Sequence, residues 1–283
     1  MTHLRQMGKA TSWVAWAGGA PAPWHIAALE EAHALMREGR FEEAEARARA
    51  PVTARRSRKG RDRRPATVWY ATYVAALAAR THGRQDTSLS AEFDALIAEA
   101  GQTYGIHHNL LLPARLNRAW VLIDAGRPVE AETEARDVLR ALARRAHRTE
   151  EQQIELSALI CFGDALCAQG RYEESETIAR AHLPRADDAF ERSLRILLVR
   201  SLSGLERHEE ALAESLKTLP EAAPVHGVGH LELHKAAALH ALDRDDEARA
   251  EANRALAACE RYLHPTHLRI AAIRALLSRI TPH

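Results

Sequence analysis

Apolar positions recur along this chain at the three- and four-residue spacing of amphipathic helices, in blocks separated by short polar turns. Proline falls in the predicted loops or first helical turns, and Pro51 is placed in a loop because it would break a helix interior. The predicted fold class is therefore all-α. The blocks predict six pairs of helices and one last helix, over residues 24–38 and 41–50, 66–81 and 87–100, 109–125 and 128–146, 150–169 and 172–183, 189–204 and 208–219, 228–242 and 245–262, and 266–280.

A short phrase stands at the turn inside each predicted pair. Its clearest copies read Gly-Arg-Phe-Glu-Glu-Ala, Gly-Arg-Pro-Val-Glu-Ala and Gly-Arg-Tyr-Glu-Glu-Ser. Glycine suits the left-handed end of a helix, and the acidic residues suit the positive end of the next one. Steps of 44, 43, 44, 36 and 37 residues separate the copies, which indicates stacked helical hairpins. The six copies begin at Gly39, Gly83, Gly126, Gly170, Glu206 and Asp243.

Two positions flanking the phrase hold small residues in nearly every copy, and Val199 is the one larger side chain. Small side chains let antiparallel helices approach closely, so these positions are predicted to be the helix contacts. They lie seven residues before and five residues after the start of each copy: Ala32, Ala76, Ala119, Gly163, Val199 and Ala236, and Ala44, Ser88, Ala131, Ser175, Ala211 and Ala248.

The pattern resembles the tetratricopeptide repeat (TPR), most closely at Gly163, Gly170, Tyr172 and Ser175. Ala32, Gly39, Phe41 and Ala44 come next. The longer steps are similar to kinesin-light-chain-like and bacterial signalling repeats, and armadillo-type repeats are the second choice. The resemblance implies a right-handed superhelical solenoid of about six hairpins over residues 24–263, with a capping helix in 264–283. Residues 1–23 hold Trp13 and Trp16, which with Trp24 would either cap the solenoid or dock a partner.

The resemblance also implies a function, because the first helices of such repeats line a concave groove. We expect a non-enzymatic scaffold or adaptor that binds a protein or peptide there, in bacterial signalling or regulation. Alanine at Tyr73, Trp120 or Arg200 is expected to weaken partner binding without unfolding the array. The clamp of chaperone-binding members needs Lys and Asn, and Asn is missing from the matching positions. Some of the implied groove residues could instead only pack between adjacent first helices, and for Tyr73 and Trp120 both interpretations are left open. The groove residues that the resemblance implies are Tyr70, Tyr73, Trp120, Asp164, Arg200, His230 and His240.

A basic run between the first two hairpins leaves two alternatives open. It would either be a solvated loop or contact an anionic partner such as nucleic acid. No aromatic residue interrupts it for base stacking. The run comprises Arg55, Arg56, Arg58, Lys59, Arg61, Arg63 and Arg64.

Composition and motifs point away from an enzyme. A net charge of +1 gives no global reason to bind nucleic acid or a membrane surface, and no apolar stretch is long enough for a membrane span. The three cysteines form no C-x-x-C pair, which favours free thiols in the cytoplasm. His230 and His234 are one turn apart, but Glu232 lies on the opposite face, so we expect no metal site and no cofactor. A homodimer is left open.

Overall fold

The computed structural model describes residues 23–56, 66–83, 87–104, 111–144, 149–217 and 227–280. These residues form α-helices and one 3₁₀ turn at Leu183–Arg185, with no strand among them. The all-α prediction is confirmed. The helices are α1 Pro23–Glu38, α2 Phe41–Arg56, α3 Ala66–His82, α4 Thr87–Tyr104, α5 Leu111–Asp124, α6 Pro128–Ala143, α7 Thr149–Ala168, α8 Tyr172–His182, α9 Asp188–Gly204, α10 His208–Leu216, α11 His230–Ala241, α12 Asp245–Tyr262 and α13 Leu268–Ile280.

The chain divides into two compact units, Met1–Ala114 (unit 1) and Arg115–His283 (unit 2). In unit 1, α1 packs on α2, α2 on α3 and α3 on α4, and α1 also packs on α3. In unit 2, each helix from α6 to α13 packs on the next, and α7, α9, α11 and α13 also pack side by side. We call the surface formed by these four helices and by α5 from Arg115 onward the first-helix face of unit 2.

Each phrase begins with the left-handed residue that the sequence predicts. Its first residue has a positive φ in all six copies, from 58° at Asp243 to 79° at Gly39. In five copies the next backbone N–H bonds back to a leucine carbonyl five residues earlier, as Arg171 does to Leu166 at 3.0 Å. These bonds satisfy carbonyls that the end of the helix would otherwise leave unpaired. Glu206 and Asp243 adopt the left-handed conformation without the freedom of glycine.

The arginine of the phrase closes the turn with a bidentate ion pair. Arg171 donates from Nε and Nη2 to Glu174 three residues later, both at 2.6 Å. Arg40, Arg127, Arg207 and Arg244 repeat this contact with Glu43, Glu130, Glu210 and Glu247. The glutamate lies in the first turn of the second helix, where negative charge is favoured.

Two of these arginines also link successive hairpins of unit 2. Arg171 donates to Glu132 on α6, and Arg207 donates to Glu176 on α8 at 2.8 Å. Both glutamates stand six residues after the start of their own phrase, so the two links are equivalent. Leu212 takes that position in the next hairpin, and within the described chain the hydrogen bonds of Arg244 go only to Glu247.

The small positions are confirmed as helix contacts with one exception. Eleven of the twelve lie inside the fold, and the α-carbon of Gly163 comes so close to Leu197 that an added Cβ would meet Leu197 Cδ2 at 2.4 Å. Ser88 is exposed instead, and Leu89 beside it is buried. The contact of α4 therefore falls one residue later than the sequence alignment predicts.

The predicted end of α2 was wrong. The helix does not stop at residue 50 but continues through Pro51 to Arg56. Pro51 is buried together with Ala44 and Ala48, so packing on this face offsets the cost of a proline inside the helix. None of the described helices is both long and apolar enough to cross a bilayer.

Candidate ligand-binding face

Three side chains on the first-helix face form a hydrogen-bonded row across α5, α7 and α9. Trp120 Nε1 donates to Asp164 Oδ2 at 3.2 Å, and Arg200 Nη1 donates to Asp164 Oδ1 at 3.2 Å. The side chains of Asp164 and Arg200 stay 17% and 27% exposed, and Trp120 is also partly exposed. The sequence predicted all three as groove residues, and the structure brings them together.

Asp164 holds this row together electrostatically. Burial raises the pKa of its carboxyl, and the charge of Arg200 and the Trp120 hydrogen bond oppose that rise. Both carboxylate oxygens are occupied, one by each neighbour. The aromatic edge of Trp120 and the guanidinium of Arg200 are therefore fixed in position before any ligand arrives.

A pair of histidines continues the face on α11. The rings of His230 and His234 lie one helical turn apart, with centroids 5.0 Å from each other. Burial, together with the charges of Arg200 and Arg269, lowers the pKa of His234 to about 3. The pKa of His230 is lowered well below its usual value by burial and by Arg269. Both rings are therefore neutral at physiological pH.

Arg269 reaches the same place from α13. Its Nη1 donates to the carbonyl of Val228 at 2.6 Å, and that carbonyl also accepts from Cys259 Sγ on α12 at 3.4 Å. Val228 lies in the turn before α11, and the residue that follows it, Gly229, has a φ of 68°. The last two helices thus hold the turn that places His230 at the start of α11.

Two further polar contacts involve α11, one at each end of the helix. Arg192 Nη2 on α9 lies 3.7 Å from Glu232 Oε1 on α11. His240 Nδ1, at the other end of α11, lies 2.6 Å from Asp245 Oδ1 in the first turn of α12. His240, a predicted groove residue, therefore contacts the second helix of its own hairpin rather than the row of Trp120, Asp164 and Arg200.

The predicted groove residues of unit 1 lie inside the fold. Tyr70 and Tyr73 are each 3% exposed, and the ring of Tyr73 stacks on Trp69 with centroids 5.7 Å apart. Tyr70 Oη lies 3.3 Å from Nε2 of His33, which is also buried. We therefore correct the expectation for Tyr73: its loss would open a cavity in unit 1, since a ligand does not reach the ring in this structure.

The basic run lies mostly outside the described residues. Arg55 and Arg56 are the last two residues of α2 rather than part of a loop. Arg58, Lys59, Arg61, Arg63 and Arg64 fall between the described ranges, as Trp13 and Trp16 fall before them. Within the described ranges, no group of three or more His, Cys, Asp or Glu side chains could hold a metal ion.

Sequence reasoning missed Arg269 and the pairing of Trp120 with Asp164. It treated the last helix only as a cap, although α13 packs beside α11 as the earlier first helices do beside one another. Reading α13 as one more first helix would have placed Arg269 among the candidates. The partner of Trp120 lies 44 residues away, one repeat step along the chain.

Comparisons with known proteins support the fold. No protein family and no curated protein matches the chain. The crystal structure of NprR in complex with its cognate peptide NprX matches with a TM-score of 0.66 and 11% identity, over 99% of this chain and 77% of NprR. A tetratricopeptide repeat protein from Parabacteroides merdae matches with a TM-score of 0.47 and 15% identity, over 92% and 99% of the two chains. Helical hairpins closed by left-handed turns, with first helices packed side by side, identify this chain as having the fold of a TPR-like repeat protein.

Proposed function

We propose that this chain is a non-enzymatic adaptor that binds a protein or peptide across the first-helix face of unit 2, in bacterial signalling or regulation. The observation that carries the proposal is the row of Trp120, Asp164 and Arg200, which is rigid, partly exposed and spread over three helices. Tryptophan and arginine are the side chains that most often carry binding energy at interfaces.

Two further observations support a peptide ligand and a bacterial setting. NprR, which shares the fold, was crystallised with a peptide. The basic residues of this chain are nearly all arginine, a bias typical of genomes rich in G and C. The face offers the partly exposed indole of Trp120 and the guanidinium of Arg200, which suit the side chains and carbonyls of an extended peptide.

The test is affinity purification of the tagged protein from its native host, followed by mass spectrometry. Trp120→Ala and Arg200→Gln would be compared with the wild type, and Val129→Ala serves as the matched control. Val129 is 61% exposed on α6, away from the first-helix face. We expect a protein partner that is retained by the wild type and the control but lost, by about tenfold or more, in the two face variants.

Treating half of each sample with nuclease separates this proposal from the nucleic-acid alternative. A partner set that disappears with nuclease, and that needs the arginines of residues 55–64, would move the function to the basic run. A protein partner retained equally by Trp120→Ala and Arg200→Gln would refute the first-helix face as the binding surface.

A further inference from the structure

Two positions of the second helices carry an ion pair in three hairpins and a leucine pair in α10. These positions stand six and ten residues after the start of the phrase, one helical turn apart. α10 places Leu212 and Leu216 there. In α2, α6 and α8 the same positions hold a glutamate and an arginine that are hydrogen-bonded to each other: Glu45 and Arg49, Glu132 and Arg136, and Glu176 and Arg180.

The leucine pair lines a surface gap at the boundary with the last hairpin. The gap has a volume of about 360 Å³, and Leu242 and Arg244 also line it. Leu216 is 65% exposed, although the three hairpins with an ion pair show that a charged side chain fits this position. A large apolar side chain that stays in water beside a concave gap is typical of a surface that a partner covers.

Arg244 brings an unused donor to the same gap. At the two preceding boundaries, Nη1 of the phrase arginine donates to both oxygens of a glutamate on the previous hairpin, as Arg207 does to Glu176 at 2.9 and 2.8 Å. Arg244 uses Nε and Nη2 on Glu247, and its Nη1 makes no hydrogen bond within the described part of the chain. A carboxylate from outside would complete the same arrangement.

The acidic side chains around the gap leave Nη1 of Arg244 open to a further carboxylate. Glu247 is held by Arg244 itself, and Glu251 is held by a lysine and an arginine. Glu209 borders the gap from the first turn of α10. An acidic group is therefore attracted to the Arg244 side of the gap and repelled from the Glu209 side.

We propose that this gap docks a protein partner through a helix that presents an acidic side chain to Arg244 and apolar side chains to Leu212 and Leu216. The acidic side chain takes the place of the glutamate that closes the two preceding boundaries. A helix repeats its side chains at the one-turn spacing of the leucine pair. The site is formed mainly by α10 and α12, so it is separate from the first-helix face and does not rest on the peptide binding proposed above.

The experiment places the photocrosslinking amino acid p-benzoylphenylalanine at Ala250 of the full-length protein in its native host. Ala250 is exposed on α12 and lines the neighbouring part of the gap. The control carries the same amino acid at Thr177, which is exposed at the equivalent position of α8. We expect a partner at position 250 and at least about tenfold less of it at position 177. The crosslinked peptide should hold Asp or Glu within one helical turn of Leu, Ile, Met or Phe.

Variants of the crosslinking protein connect the capture to the gap. Leu212→Glu combined with Leu216→Arg restores the pattern of the three other hairpins and gives Arg244 a glutamate of its own. This double variant should be at least as stable as the wild type in urea unfolding and still lose about tenfold in capture. Arg244→Gln should lose a similar factor. Glu209→Gln should increase capture severalfold, because it removes a charge of the same sign as the ligand.

The purified partner then provides a pairwise test. Replacing its crosslinked acidic residue by Gln should weaken binding to the wild type about tenfold, but binding to Arg244→Gln by about twofold at most. Additive losses would overturn the proposal, as would equal capture by the double variant or no capture at position 250. Crosslinks confined to residues 218–226 of the same chain, or to a second copy of it, would also overturn the proposal, because the chain would then cover the gap itself.

Discussion

Glu206 and Asp243 occupy backbone positions that glycine fills in the other four turns. An L-residue other than glycine is strained at positive φ, although Asp tolerates this region better than Glu does. The strain is retained because the bond from the next backbone N–H, such as Arg207 N–H to Leu202 at 2.9 Å, depends on that conformation. The two turns are therefore formed by the surrounding hairpin rather than by local preference.

Replacing Glu206 by glycine should stabilise unit 2. The change removes the left-handed strain and, after the added flexibility of glycine in the unfolded chain, leaves a gain of about 0.5–1 kcal/mol. Asp243→Gly should gain less. Urea unfolding of the two variants measures the difference, and a loss of stability in Glu206→Gly would show that its side chain has another role.

His33 should make unit 1 sensitive to acid. Burial lowers its pKa from 6.5 to about 4, with the charge of Arg37 adding to the effect. Between these two pH values the unfolded chain binds a proton that the folded chain does not, so stability falls as the pH falls through this window.

The variant His33→Gln keeps a polar partner for Tyr70 and removes the titration. Between pH 7 and pH 5 the wild type should lose about 1–2 kcal/mol more unfolding free energy than the variant does. Urea titrations at the two pH values provide the comparison. Equal losses would mean that folding does not lower the pKa of His33.

The helices of this fold could largely be predicted from the sequence, because each hairpin repeats the same turn and the same small residues at the helix contacts. All thirteen described helices lie where a block of helical spacing stands, with ends shifted by a few residues. The burial of each side chain could not be predicted from the sequence. Periodicity identifies the face of a helix, but whether Tyr73 is covered depends on neighbours such as Trp69 and His33.

The sequence predicts the candidate site only at residues that occupy equivalent positions of the repeat. Trp120, Asp164 and Arg200 occupy matching positions of successive first helices, so the repeat brought them together. Arg269 follows no phrase, and the turn that it holds at Val228 is preceded by residues outside the described ranges. Sequence spacing alone therefore could not place it beside His230.

The turn before α11 packs so closely on α12 at Gly229 that it leaves no room for a side chain. A Cβ added there would lie 2.5 Å from Cys259 Sγ and 2.9 Å from the carbonyl oxygen of Ala255, and the φ of 68° adds strain. Gly229→Ala should cost about 2–4 kcal/mol. Gly170→Ala is the control, because its φ is 77° but nothing lies within 4 Å, and it should cost about 1–2 kcal/mol. Equal unfolding free energies for the two variants would contradict a close approach at Gly229.

On the scale of the whole molecule, the two units differ in what their first helices present. Unit 1 buries its aromatic residues, such as Tyr70 and Tyr73, in its own core. In unit 2, the row of Trp120, Asp164 and Arg200 and the pair of His230 and His234 stay partly exposed to solvent. We therefore place binding in unit 2 and expect substitutions in unit 1 to change stability rather than affinity.

The links between hairpins should set the order in which unit 2 opens. Native-state hydrogen exchange should show α11, α12 and α13 exchanging at a lower free energy than α7, α8 and α9. The close links made by the phrase arginines reach only as far as Arg207, and the Arg192–Glu232 pair that joins α9 to α11 is longer, at 3.7 Å. Leu212→Glu, made with and without Arg244→Gln, tests the cause. The new glutamate should couple to Arg244 by about 0.5–1 kcal/mol in this double-mutant cycle. Zero coupling would mean that the links do not connect the hairpins energetically.

Leu212 also lines a surface gap of about 360 Å³ between α10 and the turn from α11 to α12, together with Leu216, Leu242 and Arg244. A missing link and a poorly filled interface thus coincide at one boundary. In a stack where each hairpin touches only its neighbours, cooperativity breaks at the weakest interface. Under a mechanical pull from the C-terminus, we expect α11 to α13 to detach together at this boundary as one block. Because Arg269 and both histidines belong to that block, while Trp120, Asp164 and Arg200 do not, the proposed binding face would be divided in the same step.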